Sequence, residues 1–184
     1  MRVISGYLKG RKLEGYNILG TRPTMDRVKE SIFSTIQNEV NNSIVLDLFS
    51  GTGSLGIEAI SMGAKKCYFV DNGREILKYL NKNITNLNIA DKTRIIAKDY
   101  REALNYFSTN NIKFNIILVD APYKMMVMED IINLVNDYNL LEENGLLVLE
   151  YSNYQLDSKY ANLSLVKNKK YGNKFVSIYR KAID

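Results

Sequence analysis

The sequence predicts an α/β fold: a mostly parallel, seven-stranded sheet with helices on both faces, a C-terminal antiparallel hairpin and a small N-terminal β extension. Three observations lead there. From Ile44 onward, short apolar runs (44–48, 66–71, 93–97, 114–120, 145–151) alternate with stretches of helical periodicity (54–62, 73–86, 100–108, 126–138), the order of a sheet built through right-handed crossovers. Several runs are apolar throughout, Ile116-Ile117-Leu118-Val119 most clearly, which marks strands covered on both faces. A glycine-rich turn, Val45-Leu46-Asp47-Leu48-Phe49-Ser50-Gly51-Thr52-Gly53-Ser54-Leu55-Gly56, joins the first strand to the helix after it.

Before Ile44 the pattern differs. Residues 1–20 carry Arg2, Lys9, Arg11 and Lys12 among Gly6, Gly10 and Gly15, with partly alternating apolar residues, as in a small hairpin. Interleaved with Tyr7 and Tyr16, the cations suit a basic, flexible arm laid along phosphates. Pro23 ends this extended segment and Thr24 is placed to cap a helix. Met25, Val28, Ile32, Phe33 and Ile36 form the apolar stripe of that helix, with Arg22, Arg27 and Lys29 off it, as on a solvated charged face. The polar link Asn38 to Ser43 is the clearest boundary, dividing an N-terminal arm and helix (1–40) from the main domain (41–184). At the other end, Leu163-Ser164-Leu165-Val166 and Phe175-Val176-Ser177-Ile178-Tyr179 flank Tyr171-Gly172-Asn173, which reads as an antiparallel hairpin,.

Composition narrows the chemistry. A chain of 184 residues with 46% hydrophobic content can bury a substantial core,. A net charge of +5 suits an anionic partner,. Without histidine and with a single cysteine, Cys67, the chain has no His-based triad, no means of building a structural zinc site and no internal disulfide,. No apolar signal core opens it and no run approaches a membrane span,, so a cytoplasmic protein is expected. Carboxylates, amides, tyrosines and backbone groups are left to do the chemistry.

The carboxylates have a pattern. Asp47 lies in the first strand, Asp71 ends the second, Asp99 follows the third and Asp120 ends the fourth. All four therefore point to one edge of the sheet, where ligands bind in open α/β folds. Between strand and helix, Gly51 and Gly53 allow a tight turn with free backbone N–H groups beside a pocket. Asp71 lies about 20 residues past the glycines, the position from which a carboxylate accepts ribose hydroxyls. Asp99 can accept from an adenine amino group, and serves equally well as a helix cap. Asp47 suits a cationic ligand group or water ordered around one.

Asp120-Ala121-Pro122-Tyr123 is the most informative motif. Pro122 biases Ala121 to an extended conformation, from which its carbonyl can project into the pocket. A planar exocyclic amino group has two N–H donors, one for the Asp120 carboxylate and one for that carbonyl. This aims the nitrogen lone pair at an electrophilic methyl, while Tyr123 can stack on the ring.

On these residues the chain resembles the class I, Rossmann-like methyltransferases with the Asn/Asp-Pro-Pro-Tyr/Phe motif that modify amino nitrogens. More narrowly it resembles the RsmD family, bacterial guanine-N2 methyltransferases of 16S ribosomal RNA. Ile4-Ser5-Gly6 with Lys9-Gly10-Arg11-Lys12-Leu13, the segment Thr21 to Phe33, Asp47 to Gly56, Glu58-Ala59, Gly63-Ala64 and Tyr171-Gly172 carry the likeness. Where the family usually has Asp-Pro-Pro, this chain has Ala121 at the second position; the carbonyl acceptor survives, with less rigidity. The resemblance implies S-adenosylmethionine as methyl donor and no metal. Gly51, Thr52, Gly53, Asp71 and Asp99 would surround the donor, Arg22 to Thr24 would lie near its methionyl end, and Asp47, Phe49 and Tyr100 complete the candidate set. It also implies 16S rRNA as partner, within a small-subunit assembly particle, with Arg2, Lys9, Arg11, Lys12 and Arg27 facing the RNA of a monomeric enzyme. Adenine N6 in DNA, a protein glutamine, and a catalytically inactive RNA-binding assembly protein are the alternatives that motif and fold leave open.

Overall fold

The computed structural model describes residues 1–15, 23–122 and 125–183. Among these residues the sheet has eight strands: β1 (Ile44–Leu48), β2 (Lys66–Val70), β3 (Thr93–Ile96), β4 (Phe114–Asp120), β5 (Leu141–Ser152), β6 (Lys159–Tyr160), β7 (Leu163–Tyr171) and β8 (Lys174–Lys181). The order is β3-β2-β1-β4-β5-β8-β7-β6. The first five strands in that order are mutually parallel, and β8, β7 and β6 run antiparallel to their neighbours. The strand beyond the seven expected is β6, two residues pairing Lys159 with Ser164 and Tyr160 with Leu163. So short a strand has no pattern of its own; the edge of β7 creates it.

Among the described residues five α-helices accompany the sheet: α1 (Pro23–Val40), α2 (Ser54–Ser61), α3 (Arg74–Asn86), α4 (Tyr100–Thr109) and α5 (Met128–Asp137). The core divides in two. One cluster joins α1, α2, α3 and the N-terminal segment to one face through Val28, Ile36, Ile60, Leu80 and Val45. The other joins α4 and α5 to the opposite face through Phe107, Ile131, Leu46 and Ile117. Consecutive β4 residues alternate between the clusters, Ile116 and Leu118 to the first, Ile117 and Val119 to the second, the period-two geometry of a strand buried on both sides. Among the described residues no helix is long and apolar enough to cross a membrane.

The N-terminal third departs from expectation in three ways. The helix begins at Pro23 and not after Thr24; proline suits a first helical turn, where its missing N–H would have had no partner. It runs to Val40, so the polar link from Asn38 starts inside it. Lys29 is not solvated: at 2% exposure it forms a 3.3 Å ion pair with Glu58, itself 1% exposed. Burial lowers the Lys29 pKa, and the neighbouring Glu58 charge opposes that shift.

Among the described residues the β pairing of 1–15 is an isolated Arg2–Lys12 bridge, but the segment is firmly docked. Glu58 accepts the backbone N–H groups of Ile4 and Ser5, each at 2.9 Å. Tyr7 N donates to Ser61 O and Leu8 N to Ser61 Oγ. Gly6 has φ +80°, and a Cβ there would sit 1.9 Å from Ser61 O. Only glycine permits that approach.

Candidate functional site

The sheet changes direction between β1 and β4, since β2 and β3 extend one way from β1 while β4 and β5 extend the other. Beyond the carboxyl ends of these strands lies the crevice where open α/β sheets bind ligands. Here it is a cavity of about 630 Å³, a size that suits a cofactor-scale ligand. Asp47, Asp71, Asp99 and Asp120 all line it, as do Phe49, Gly51, Thr52, Tyr100, Ala121 and Pro122.

The acidic side chains on the strands share one face by parity. Asp47 is two residues from Val45, Asp120 two from Leu118, Glu150 two from Val148 and Lys174 two from Val176, and those four apolar residues all belong to the cluster under α1 and α2. Asp47, Asp120, Glu150 and Lys174 therefore converge under the cavity.

Backbone hydrogen bonds build the glycine turn. Ser50 N donates to Val70 O and Gly53 N to Ser50 O, both at 2.9 Å. Asp71 spans the turn from β2: Oδ2 accepts Gly51 N and Oδ1 accepts Gly73 N, each at 2.9 Å. A carboxylate has about four acceptor positions, so Asp71 retains capacity for hydroxyl donors. Asn83 of α3 clamps the turn from behind, donating to Thr52 O and Glu14 O and accepting Glu14 N. Gly53 has φ +95°, and a Cβ on it would lie 2.5 Å from Leu80 Cδ1, so glycine serves the core at this position.

Two neighbours of the turn are unusual. Phe49 has φ +60°, a costly conformation for a bulky residue that persists only where its surroundings impose it. Its ring centroid is 5.4 Å from that of Tyr100 across the cavity wall. Ser50 Oγ is buried without a hydrogen-bond partner among the described residues and lines the same cavity.

Asp47 is 1% exposed, and its Oδ2 accepts Gly56 N at 2.9 Å. Burial pushes its pKa up to about 7, with the Gly56 hydrogen bond opposing and the Asp71 charge assisting. Its observed contact is therefore with the first turn of α2. Asp99 caps α4 through Arg101 N at 2.9 Å while facing the cavity.

Asp120 keeps contact with the cavity, yet its carboxyl is withdrawn from bulk water. That desolvation, reinforced by Glu150, holds its pKa well above the usual carboxylate range, and Lys174 pulls the other way. Asp120 and Glu150 are directly paired across β4 and β5. Lys174 Nζ lies 2.9 Å from Glu150 Oε1.

Sequence reasoning missed Glu150 and Lys174. Leu146 to Glu150 repeats the apolar-run-then-acid pattern of the other strands, so Glu150 was recoverable. Lys174 was not, because only the antiparallel register of β8, which pairs it with Ser152, carries it to the cavity. Arg22 and Tyr123 lie outside the described residues, as does the side chain of Thr24.

The cations proposed to face RNA are dispersed. Arg27 is exposed on α1, two residues beyond the cavity-lining Met25. Arg2 and Lys12 are exposed partners in the bridge, Arg2 also donating to Gly10 O. Arg11 donates to Asn86 O at the C-terminal end of α3, and the adjoining tip meets Ser61 at the C-terminal end of α2. Helix C-termini lie at the sheet edge opposite the cavity, so Lys9 and Arg11 sit away from its mouth.

A family model described as Conserved hypothetical protein 95 matches residues 1–180. The ribosomal RNA small subunit methyltransferase D of Haemophilus influenzae is 33% identical over 173 residues, covering 94% of this chain and 89% of the relative. The protein of that name from Escherichia coli is 31% identical over 182 residues, covering 98% and 90%. The solved structure of Escherichia coli yhhF, described provisionally as a methyltransferase, superposes with a TM-score of 0.88 at 30% identity, covering 100% of this chain and 99% of its own. Sequence, fold and cavity agree: the chain belongs to the RsmD family of ribosomal RNA small subunit methyltransferases.

Proposed function

We propose that the protein transfers a methyl group from S-adenosylmethionine to the exocyclic N2 of a guanine in 16S rRNA. The observation that carries this reading is the convergence of the Asp120-Ala121-Pro122 strand end and the Asp71-braced glycine turn on one cavity. The residues present fit the donor. Asp71 offers acceptor capacity to ribose hydroxyls, Leu55, Val70, Ile76 and Phe49 offer apolar wall to an adenine, and the unpartnered Ser50 Oγ awaits a polar group. Asp47 and the end of β4 line the same cavity and are assigned to the donor's cationic portion. When bound, S-adenosylmethionine supplies an electrophilic methyl.

The chain's own residues orient the acceptor. The Asp120 carboxylate accepts one N–H of the guanine amino group and the Ala121 carbonyl the other, leaving the nitrogen lone pair directed at the donor. As the amine becomes cationic it releases a proton, for which Asp120, with its raised pKa, is a suitable acceptor. Tyr123, one residue beyond Pro122, is assigned to stack on the base, and Arg22 and Thr24 to the methionyl end of the donor.

The test is transfer of labelled methyl to 16S RNA and to small subunits from cells lacking their own guanine-N2 enzyme, with the product nucleoside identified by mass. N2-methylguanosine at one site is expected from the wild type, and none from Asp120→Ala, which should still bind S-adenosylhomocysteine. Full activity in that variant would remove Asp120 from the mechanism.

A further inference from the structure

We propose that the outer half of the β7–β8 hairpin is the surface that holds the RNA backbone at the mouth of the cavity, through Lys169 and Lys170 at its tip and Lys167 farther down β7. This rests on the reading of RNA as substrate, and three observations carry it.

The first is where the charge resides. Ser158 to Ile183 holds seven of the chain's 25 Lys and Arg residues and none of its 20 Asp and Glu residues, so the remainder of the chain holds more anions than cations. The net positive charge is a property of this hairpin, not of the N-terminal segment alone.

The second is position. The register pairs Ser152 at the carboxyl end of β5 with Lys174, and Lys174 with Tyr171. The tip therefore rises at the cavity edge of the sheet. At the far end of the hairpin the cations are engaged in structure: Arg180 with Glu39, Lys181 with Leu141 O. Lys174 is engaged by Glu150. Lys167, Lys169 and Lys170 are exposed, and among the described residues none of them pairs with a carboxylate; Lys167, opposite Ile178 midway along β7, donates to Thr35 Oγ1 of α1 at 3.0 Å, while Lys169 and Lys170 flank the tip. Lysines on an edge strand also discourage sheet-to-sheet association, but acidic residues would serve that end as well, and there are none.

The third is aromatic interleaving. Lys169 Nζ lies 5.1 Å over the Tyr171 ring and Lys170 Nζ 5.6 Å over the Phe175 ring. Phe175 stacks on Tyr151 at 5.7 Å and 19°, and Tyr151 lines the cavity. Lys169 with Tyr171 lies on the α1 side of the hairpin and Lys170 with Phe175 and Tyr151 on the other, so cations and rings flank the tip on both faces, the combination that single-stranded nucleic acids meet on their binding proteins.

The experiment compares wild type with the triple variant Lys167→Gln, Lys169→Gln, Lys170→Gln in fluorescence-anisotropy titrations of a 16S RNA transcript across a salt series. Each phosphate contact adds about 0.7–0.9 to the slope of log affinity against log salt. Losing three should flatten that slope by about 2–3 and weaken binding on the order of 100-fold at ~0.1 M salt. Calorimetric binding of S-adenosylhomocysteine and the melting temperature should stay at wild-type values, and the matching triple Lys→Arg variant should keep the wild-type slope. Lys9→Gln with Arg11→Gln, at the far edge, should change affinity less than the hairpin triple does. An unchanged slope in the Gln triple, with wild type binding RNA, overturns the hairpin assignment alone. Wild type that shows no salt-dependent RNA binding overturns the RNA reading and this proposal with it. Should the triple variant fail to fold, the single variants decide, each expected to lower the slope by about 0.8.

Discussion

Lys174→Met tests whether the charge balance under the cavity controls the reaction. Lys174 Nζ is 2.9 Å from Glu150 Oε1, and Glu150 is paired with Asp120 on the adjacent strand. With strands ~4.8 Å apart, Lys174 acts on Asp120 from roughly 6 Å. At an effective dielectric of about 20 that attraction is worth about 3 kcal/mol, or about 2 pKa units. The Lys174 side chain is 38% exposed, so solvent screening reduces this to about 1 unit. The sign is fixed: Lys174 favours the Asp120 carboxylate, and removing it raises a pKa that burial and Glu150 already hold high. If the carboxylate must accept the amino N–H, activity rises with pH through the Asp120 titration. In Lys174→Met that rising limb moves up by about 1 pH unit, so the rate on the acid side falls about 10-fold. Above the limb the two enzymes converge. The assay is a pH profile of single-turnover methyl transfer at saturating donor, with Asp120 titrated independently by carboxyl NMR. Superimposable midpoints, with only the plateau lowered, would refute the electrostatic coupling and leave Lys174 a packing role.

Three further outcomes follow from buried polar groups. Asn83→Ala removes three hydrogen bonds that join α3, the N-terminal segment and the glycine turn; about 3 kcal/mol of stability should be lost in urea denaturation, with weaker S-adenosylhomocysteine binding, and a loss below about 1 kcal/mol would contradict the clamp. Glu58→Gln leaves the Lys29 ammonium without its buried counter-charge and should cost about 3–5 kcal/mol; a wild-type melting temperature would show that Lys29 is neutral or rehydrated. Asp47, with its folded pKa at about 7 against an ordinary 3.8, binds its proton more tightly when folded. The stability this contributes is present below about pH 4 and lost as pH rises through about 7. Asp47→Asn should therefore gain on wild type by about 2–4 kcal/mol between about pH 5 and pH 8 in urea titrations, and a pH-independent difference would refute the raised pKa.

Much of the molecule was decided locally. Buried parallel strands need continuous apolar runs and amphipathic helices need a spaced stripe, so the five central strands and the four helices between and after them fall within a few residues of their sequence-based bounds,. The acids that line the cavity were legible because a strand end followed by a helix is a local event. What required tertiary structure has no local signature. The fate of Lys29 depended on Glu58 from another helix, because a charged residue off an apolar stripe reads as solvated until its partner arrives. Phe49 adopts a positive φ beside the Tyr100 ring, a strain its own sequence does not announce. β6 exists only by pairing with β7. Lys174 reaches Glu150, and the lysines of the hairpin tip reach the cavity edge, through an antiparallel register spanning the last third of the chain. Register depends on which strands meet and at what offset, and shifting it by one residue would turn every side chain to the other face. Local sequence therefore set the strands, helices and turn of this protein, while long-range pairing decided which charges share its cavity.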